Sequence, residues 1–200
     1  MTRPSRKLEL PHPGPVVGVD EAGRGPLAGP VVAAAVVLPE KGVPRGIDDS
    51  KKLSAQVRAD LYVKLTRVAL VGVGLASVEE IDRLNIYWAT MLAMTRAVEA
   101  LGIAPGMVLV DGNAKPRWDH PCVAIVGGDA LCLSIAAASV VAKHHRDRMM
   151  IEADALHPGY GWASNKGYGC ASHREALNRL GPTPLHRRSF APVAQALLPL

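Results

Sequence analysis

The sequence predicts an α/β fold in which a five-stranded mixed sheet is flanked by helices and followed by a helical C-terminal extension. Two observations support this prediction. Three apolar runs typical of buried strands come first, and two more follow a long amphipathic segment. The last third of the chain then consists of helical patterns and a Gly-rich loop.

The first half contains three predicted strands and one capped helix. Residues 16–19 form an apolar run that ends on two acids, and a turn follows at once. Residues 30–38 are apolar throughout and predict a second strand hairpinned to the first, although their alanines would also suit a helix. Ser54 has the position of an N-cap for a helix over residues 55–66, and residues 68–76 predict the third strand.

The second half is predicted to combine two short strands with longer helices. In chain order these are a capping-box turn, a central amphipathic helix, two strands, a long Ala-rich helix and a last amphipathic helix: 77–80, 85–101, 107–110, 122–126, 131–156 and 172–180. Gly102 and Pro158 are typical residues just after a helix end.

The composition narrows the class of protein. The 200 residues suit one domain, and an aromatic content of 4% leaves Ala, Val and Leu to build the core. The formal charge of +5 fits a polyanionic partner. Three scattered cysteines without C-x-x-C are typical of reduced residues in a cytoplasmic protein. The basic N-terminus lacks the apolar segment of a signal peptide, and no apolar run approaches the length of a membrane span.

Carboxylates are predicted to cluster where strands end. Asp20 and Glu21 follow the first strand, Asp111 follows the fourth, and Asp129 lies just beyond the fifth. If the first and fourth strands are parallel neighbours, their ends meet at the edge where open α/β sheets bind ligands. Carboxylate oxygens suit Mg²⁺, and two such ions about 4 Å apart can promote phosphodiester hydrolysis. The pattern therefore predicts a metal site.

Other interpretations of these residues remain open. The D-G-N at 111 is also typical of a turn, and the G-G-D at 127 of a helix cap. Turn chemistry does not explain Glu21, however. Residues 23–28 match G-x-G-x-x-A, the dinucleotide-binding pattern, but the two acids before them would repel a pyrophosphate, and Pro30 with the valines after it favours a strand.

Basic and aromatic residues supply groups for binding an anionic polymer. Ser50 and Lys51, followed by Lys52, lie in a loop that could hold a phosphate, though a solvated charge run is as common. Residues 143–190 hold eight Lys or Arg against four Asp or Glu, which predicts a phosphate-binding face in the C-terminal third. Tyr160, Trp162 and Tyr168 would either stack on a sugar or base or anchor their loop.

Seven motifs stand in order along nearly the whole chain. They are D-E-A-G-R-G-P-L-A-G-P-V from residue 20, D-S-K-K-L-S from 49, E-E-I-D-R-L-N-I from 79, D-G-N from 111, S-I-A-A-A-S-V-V-A-K-H-H-R-D from 134, N-K-G-Y-G from 165 and G-P-T-P-L-H-R-R-S-F from 181. Together they resemble the bacterial ribonuclease HII family. The resemblance implies a ribonuclease H-like fold and an endonuclease.

The implied reaction is hydrolysis of the RNA strand of RNA–DNA hybrids and incision 5′ to single ribonucleotides in duplex DNA, leaving 5′-phosphate and 3′-hydroxyl ends. The resemblance also implies a two-metal site for Mg²⁺ or Mn²⁺ and a role in ribonucleotide excision repair. The family's catalytic metal ligands correspond to the four acids already identified: Asp20, Glu21, Asp111 and Asp129.

For the substrate, the resemblance implies that backbone groups of Gly23, Arg24 and Gly25 recognise the ribose 2′-hydroxyl and that Tyr168 packs on the sugar. Glycine lets the backbone approach closely, and the 2′-hydroxyl distinguishes RNA from DNA. Cys170 stands where the family commonly has Thr, which removes a hydroxyl near the substrate.

The predicted organisation is a flexible tail over residues 1–14, a catalytic domain over 15–157 and a C-terminal helical substrate-binding extension over 158–200. We expect a cytoplasmic monomer without a membrane partner. The tail from Gln195 lacks the aromatic pair of a sliding-clamp peptide, so no such docking is expected. The alternative function is a non-catalytic nucleic-acid-binding module, which would have no reason to hold four clustered acids.

Overall fold

A five-stranded mixed sheet forms the centre of the protein, which a computed structural model describes over residues 3–197. The strands are β1 (Val16–Ala22), β2 (Val31–Val37), β3 (Leu70–Ala76), β4 (Met107–Asp111) and β5 (Cys122–Ile125). Their spatial order is β3-β2-β1-β4-β5. β2 is antiparallel to β1 and β3, whereas β4 is parallel to β1 and β5. The predicted strand number and the parallel pairing of the first and fourth strands are confirmed.

The helices follow the predicted order with three differences. They are α1 (Ala55–Val68), α2 (Val78–Leu84), α3 (Ile86–Glu99), α4 (Gly128–Leu131), α5 (Leu133–Leu156), α6 (Trp162–Asn165), α7 (Ala171–Leu180) and α8 (Ala191–Ala196). The long helix predicted from residue 131 begins at Leu133, because Cys132 has extended backbone angles and separates α4 from α5. The short helix α6 and the terminal helix α8 were not predicted.

The first and fourth strands extend further than predicted. β1 continues through both acids to Ala22, because Asp20 and Glu21 pair with Ala34 and Ala33 of β2. β4 likewise includes Asp111. The acids are therefore held by sheet geometry rather than by a turn, and successive side chains on β1 point to opposite faces.

Helices cover both faces of the sheet. On one face, α3 packs its buried residues against β1, β2 and β4, and on the other face α1 and α5 pack against β2. Gly18 lies where α5 crosses β1, and a side chain there would overlap the backbone of Ser134. The glycine therefore lets α5 lie directly against the strand that carries Asp20.

The predicted helix caps are confirmed. The Ser54 hydroxyl accepts a hydrogen bond from the Val57 N–H at 3.3 Å. Ser77 and Glu80 form the predicted capping box, with bonds of 3.2 Å and 2.9 Å between each side chain and the other residue's N–H. These caps fix where α1 and α2 begin.

The N-terminal segment contacts the central domain. The Ser5 N–H donates to the Leu131 carbonyl at 3.0 Å, and the Glu9 carboxylate accepts from the Ser134 N–H at 2.8 Å near the start of α5. The flexibility predicted for residues 1–14 stays a prediction. No helix within residues 3–197 is both long enough and apolar enough to cross a bilayer.

The C-terminal part pairs with the segment that follows β1. The Gly29 N–H donates to the Leu185 carbonyl, and the Arg187 N–H donates to the Leu27 carbonyl, each at 2.8 Å. The Arg187 side chain also donates to the Gly29 carbonyl, across 158 positions of the sequence. The C-terminal third is thus attached directly to the segment beside the acids.

Candidate active site

Three carboxylates converge at one edge of the sheet. Asp20 lies on β1, Asp111 ends the parallel neighbour β4, and Asp129 lies in the first turn of α4. Each offers an oxygen, and these oxygens all lie within 4.8 Å of one another. The Asp111 carboxylate also accepts a bond of 3.4 Å from the Asp129 N–H. The fold therefore brings together acids that come from three different elements, with Asp20 far from the other two in sequence.

The fourth predicted acid, Glu21, lies beside this group but is not part of it. Its side chain starts on the opposite side of β1 from Asp20, as alternation along a strand requires. One Glu21 oxygen lies 3.6 Å from the Arg24 guanidinium. The Glu21 N–H donates to the Asp20 carboxylate at 2.7 Å, which fixes that side chain.

The electrostatics of the group favour a cation. Burial, followed by the nearby charges of Glu21 and Asp111, holds the pKa of Asp20 well above its usual range. Burial and the Asp129 charge raise the pKa of Asp111, and burial raises that of Glu21. A divalent ion would remove this repulsion, and a set of carboxylate oxygens is the donor set that Mg²⁺ and Mn²⁺ prefer. The residues present therefore fit such an ion.

A pocket of about 430 Å³ lies in front of the acids. Asp20, Glu21 and Asp111 line it together with all six residues predicted to bind substrate: Gly23, Arg24, Gly25, Ser50, Lys51 and Tyr168. The structure thus brings the predicted residues to one place, although their roles stay predictions. Asp129 contacts this group through Asp111 and Lys51.

The two lysines of the loop that follows Ser50, Lys51 and Lys52, pair with different acids. The Lys51 ammonium lies 3.4 Å from the Asp129 carboxylate and is 77% exposed. Lys52 turns away and pairs with Asp48 at 3.2 Å. Of the two lysines, Lys51 is therefore the one placed to meet a ligand in the pocket. The Ser50 hydroxyl is buried and accepts a bond of 2.7 Å from another serine on α5.

The three aromatic residues of the Gly-rich loop separate into two groups. Tyr160 and Trp162 are buried, and their ring centroids lie 5.1 Å apart, so they anchor the loop. Tyr168 is 48% exposed and lines the pocket. The His173 ring bonds the Tyr168 carbonyl at 2.9 Å, which holds the tyrosine backbone in place.

The pocket is also lined by three polar residues that the sequence did not assign to the site. Ser139 and Lys143 lie one helical turn apart on α5, and Arg58 comes from the first turn of α1. Arg58 and Lys143 both pair with Asp147, at 3.3 Å and 2.7 Å. The spacing of 139, 143 and 147 was a visible signal, because residues four apart share a helix face.

Two of the eight basic residues that predicted a phosphate-binding face in the C-terminal third are buried. Arg146 and Arg187 are 1% and 0% exposed, so neither can meet a phosphate backbone. His144 and His145 are half-buried and pack on Tyr62 of α1. The burial of the two arginines was missed because the carbonyls that they bond, mostly those of residues 23–30, are distant in sequence and show in no local pattern.

Comparison with known proteins gives consistent results. A family described as Ribonuclease HII matches residues 17–193. A Ribonuclease HII of Rhizorhabdus wittichii is 69% identical over 195 residues, which cover 98% of this chain and 96% of that protein. The structure of ribonuclease H2 from Pyrococcus horikoshii superposes with a TM-score of 0.77 at 27% identity, covering 90% of this chain and 96% of that one.

A more distant neighbour is Bst-RNase HIII in complex with Mn²⁺, with a TM-score of 0.73 at 19% identity, covering 91% of this chain and 68% of that chain. At this identity the similarity concerns the fold alone. The two structural neighbours confirm the predicted ribonuclease H-like fold.

Proposed function

This chain belongs to the ribonuclease HII family, and from that premise we propose that it cuts 5′ to single ribonucleotides in duplex DNA as well as within longer RNA–DNA hybrids. Membership makes the chain a ribonuclease H, an endonuclease that acts on RNA in RNA–DNA hybrids. The products of the proposed reaction are 5′-phosphate and 3′-hydroxyl ends. The observation that carries the proposal is the convergence of three clustered acids with a glycine loop at one pocket.

Asp20, Asp111 and Asp129 would hold divalent ions, with Glu21 completing the set from the side. Bound there, two Mg²⁺ or Mn²⁺ ions would activate a water molecule and stabilise the leaving oxygen of the phosphodiester. The protein's part is to hold the carboxylates in place: the Asp20 side chain accepts from the Glu21 N–H, and Asp111 accepts from the Asp129 N–H.

The same pocket supports recognition of RNA in a duplex. Backbone groups of Gly23, Arg24 and Gly25 would contact the ribose 2′-hydroxyl. A Cβ on Gly25 would lie 3.7 Å from the Tyr168 ring, so the loop and the ring lie side by side and could contact the same nucleotide. Lys51 would bind a neighbouring phosphate. We place the activity in the cytoplasm, in ribonucleotide excision repair.

The test is a DNA duplex with one ribonucleotide, incubated in Mg²⁺ and in EDTA. We expect a single metal-dependent cut 5′ to the ribonucleotide, with a 5′-phosphate on the downstream fragment. An all-DNA duplex of the same sequence is the control. Metal-independent cutting, or none at all with correctly folded protein, would contradict the proposal and favour a non-catalytic binding module.

A further inference from the structure

Two arginines are buried behind the glycine loop without an acidic partner. Arg146 and Arg187 are 1% and 0% exposed, and neither forms an ion pair with a residue in the described part of the chain. Burial lowers the pKa of Arg146 to about 10 and, together with the charge of Arg146, lowers that of Arg187 to about 9. Both remain cations at pH 7, so other groups must compensate for the lost water.

Backbone carbonyls of one short segment provide that compensation. Arg187 donates to four carbonyls within residues 23–30, those of Gly23 (2.6 Å), Arg24 (2.9 Å), Gly29 (2.9 Å) and Pro30 (3.2 Å). Arg146 donates to the Pro30 and Ala28 carbonyls, both at 3.0 Å, and to that of Lys166 at 2.9 Å. The two guanidinium groups therefore hold the glycine loop and the residue two positions before Tyr168.

These bonds fix which way the peptide groups face. In a planar trans peptide the C=O and N–H point in opposite directions. Because the Gly23 and Arg24 carbonyls face Arg187, the N–H groups of Arg24 and Gly25 point away from it. Neither N–H donates to another group within residues 3–197, and both residues line the pocket.

We propose that Arg187 is a positioning residue for ribonucleotide recognition: its guanidinium holds the loop so that the Arg24 and Gly25 N–H groups face the 2′-oxygen. The inference rests on the proposed function. Arg146 secures the far side of the loop and the approach to Tyr168. Arg187 thus acts on the pocket from behind the loop, without itself touching substrate.

The chemistry requires arginine at this position. A guanidinium presents five N–H donors in a planar fork, whereas lysine presents three donors on one nitrogen and cannot reach carbonyls spread over four residues. The fit is tight, because Gly23 has a φ of 100° and a side chain there would overlap Arg146.

The experiment compares two adjacent arginines. In an Asp20→Asn parent, which keeps the substrate uncut in Mg²⁺, we measure the affinity for a duplex with one ribonucleotide and for the matching all-DNA duplex. The ratio of the two affinities is the preference. Arg187→Lys should lower the preference about tenfold, as expected for two weakened hydrogen bonds, while all-DNA affinity stays within about twofold. The matched control is Arg188→Lys, at an exposed neighbour, which should leave the preference unchanged.

An unchanged preference in folded Arg187→Lys, or an equal loss for both duplexes, overturns the inference. If that variant does not fold, Phe190→Leu replaces it. This change keeps Arg187 but removes the ring 5.1 Å from its guanidinium carbon, and it should lower the preference about twofold, with no change counting against the inference. Failure of the proposed function looks different: the parent then shows no preference, and wild-type protein does not cut the ribonucleotide duplex.

Discussion

The acidic pocket and the two buried arginines carry opposite charges on either side of one glycine loop. In the pocket, the cations that touch the acids are Arg24 and Lys51, and both side chains are at least half exposed. Behind the loop, Arg146 and Arg187 are almost completely buried, yet every bond they make is to a backbone carbonyl of the protein itself.

This difference shows that the charges of the arginines are balanced by the protein itself, whereas those of the clustered acids call for a ligand. The arginines have protein partners throughout, so burying them requires nothing from outside. The acids repel one another, and the pKa of Asp20 rises as a result of burial and of its neighbours. We therefore expect the two arginines to position the loop and the acids to bind a cation.

The largest effect should come from Asp20→Asn. We expect the cleavage rate to fall at least about 10³-fold, equivalent to about 4 kcal/mol, because the residue that we propose as the central metal ligand loses its charge. Without metal, the melting temperature should not fall, since a repelled buried acid has been removed. Rates on the ribonucleotide duplex and thermal melts in EDTA measure both. The exposed Asp60→Asn is the control, and wild-type rates in Asp20→Asn would show that the acid has no part in the reaction.

The stability of the folded protein should depend on pH through His186, the residue before the buried Arg187. Burial, then the charges of His173 and His157, lower the pKa of His186 to about 4, against 6.5 for a free histidine. Among residues 3–197 its ring contacts no acid: it bonds Thr183 and His173 and packs on Tyr160 and Trp162.

Between pH 4 and 6.5 the unfolded chain therefore binds more protons at this site than the folded chain. The stability that the neutral ring contributes is complete above about pH 6.5 and is lost as the pH falls towards 4, by roughly 1–3 kcal/mol. Urea unfolding across this range should show a shallower pH slope for His186→Gln than for wild type or for the control His120→Gln. Identical slopes in all three proteins would refute the assignment.

A small effect is expected from Lys51→Met. Its ammonium lies 3.4 Å from Asp129 and competes with a bound ion, but it is largely exposed and screened. Removing it should tighten binding of Mn²⁺ alone about two- to fivefold, because exposed ion pairs are worth about 0.2–1 kcal/mol. Lys52→Met, which removes a lysine paired with Asp48, should change nothing. Weaker Mn²⁺ binding in Lys51→Met would be the opposite of this expectation.

The sequence predicted the acidic pocket better than the arginine side. Asp20 and Asp111 each follow an apolar run, so assuming that these two strands are parallel neighbours was enough to place the acids together. Periodicity correctly located the five strands and the capped helices. The burial of Arg146 was not predictable in the same way. It lies between Lys143 and Asp147 in a charged stretch, and two of its three carbonyl partners are 116 and 118 residues away. Local patterns carry no information about such contacts.

The same limit explains the errors at element ends. β1 continues past Val19 because β2 offers partners for Asp20 and Glu21, and α5 starts late because Cys132 is extended. Both depend on pairing across the chain rather than on the residues themselves.

The account contrasts acids that bind a metal ion with arginines that hold the loop, and its most direct test is a calorimetric titration of metal-free protein with Mn²⁺. Wild type should bind saturably, Asp20→Asn should bind at least about tenfold more weakly, and Arg187→Lys should bind like wild type, because its charge faces the loop and not the ion. Equal Mn²⁺ affinity in wild type and Asp20→Asn, or no saturable binding to wild type, would contradict the account of the acids as a metal site.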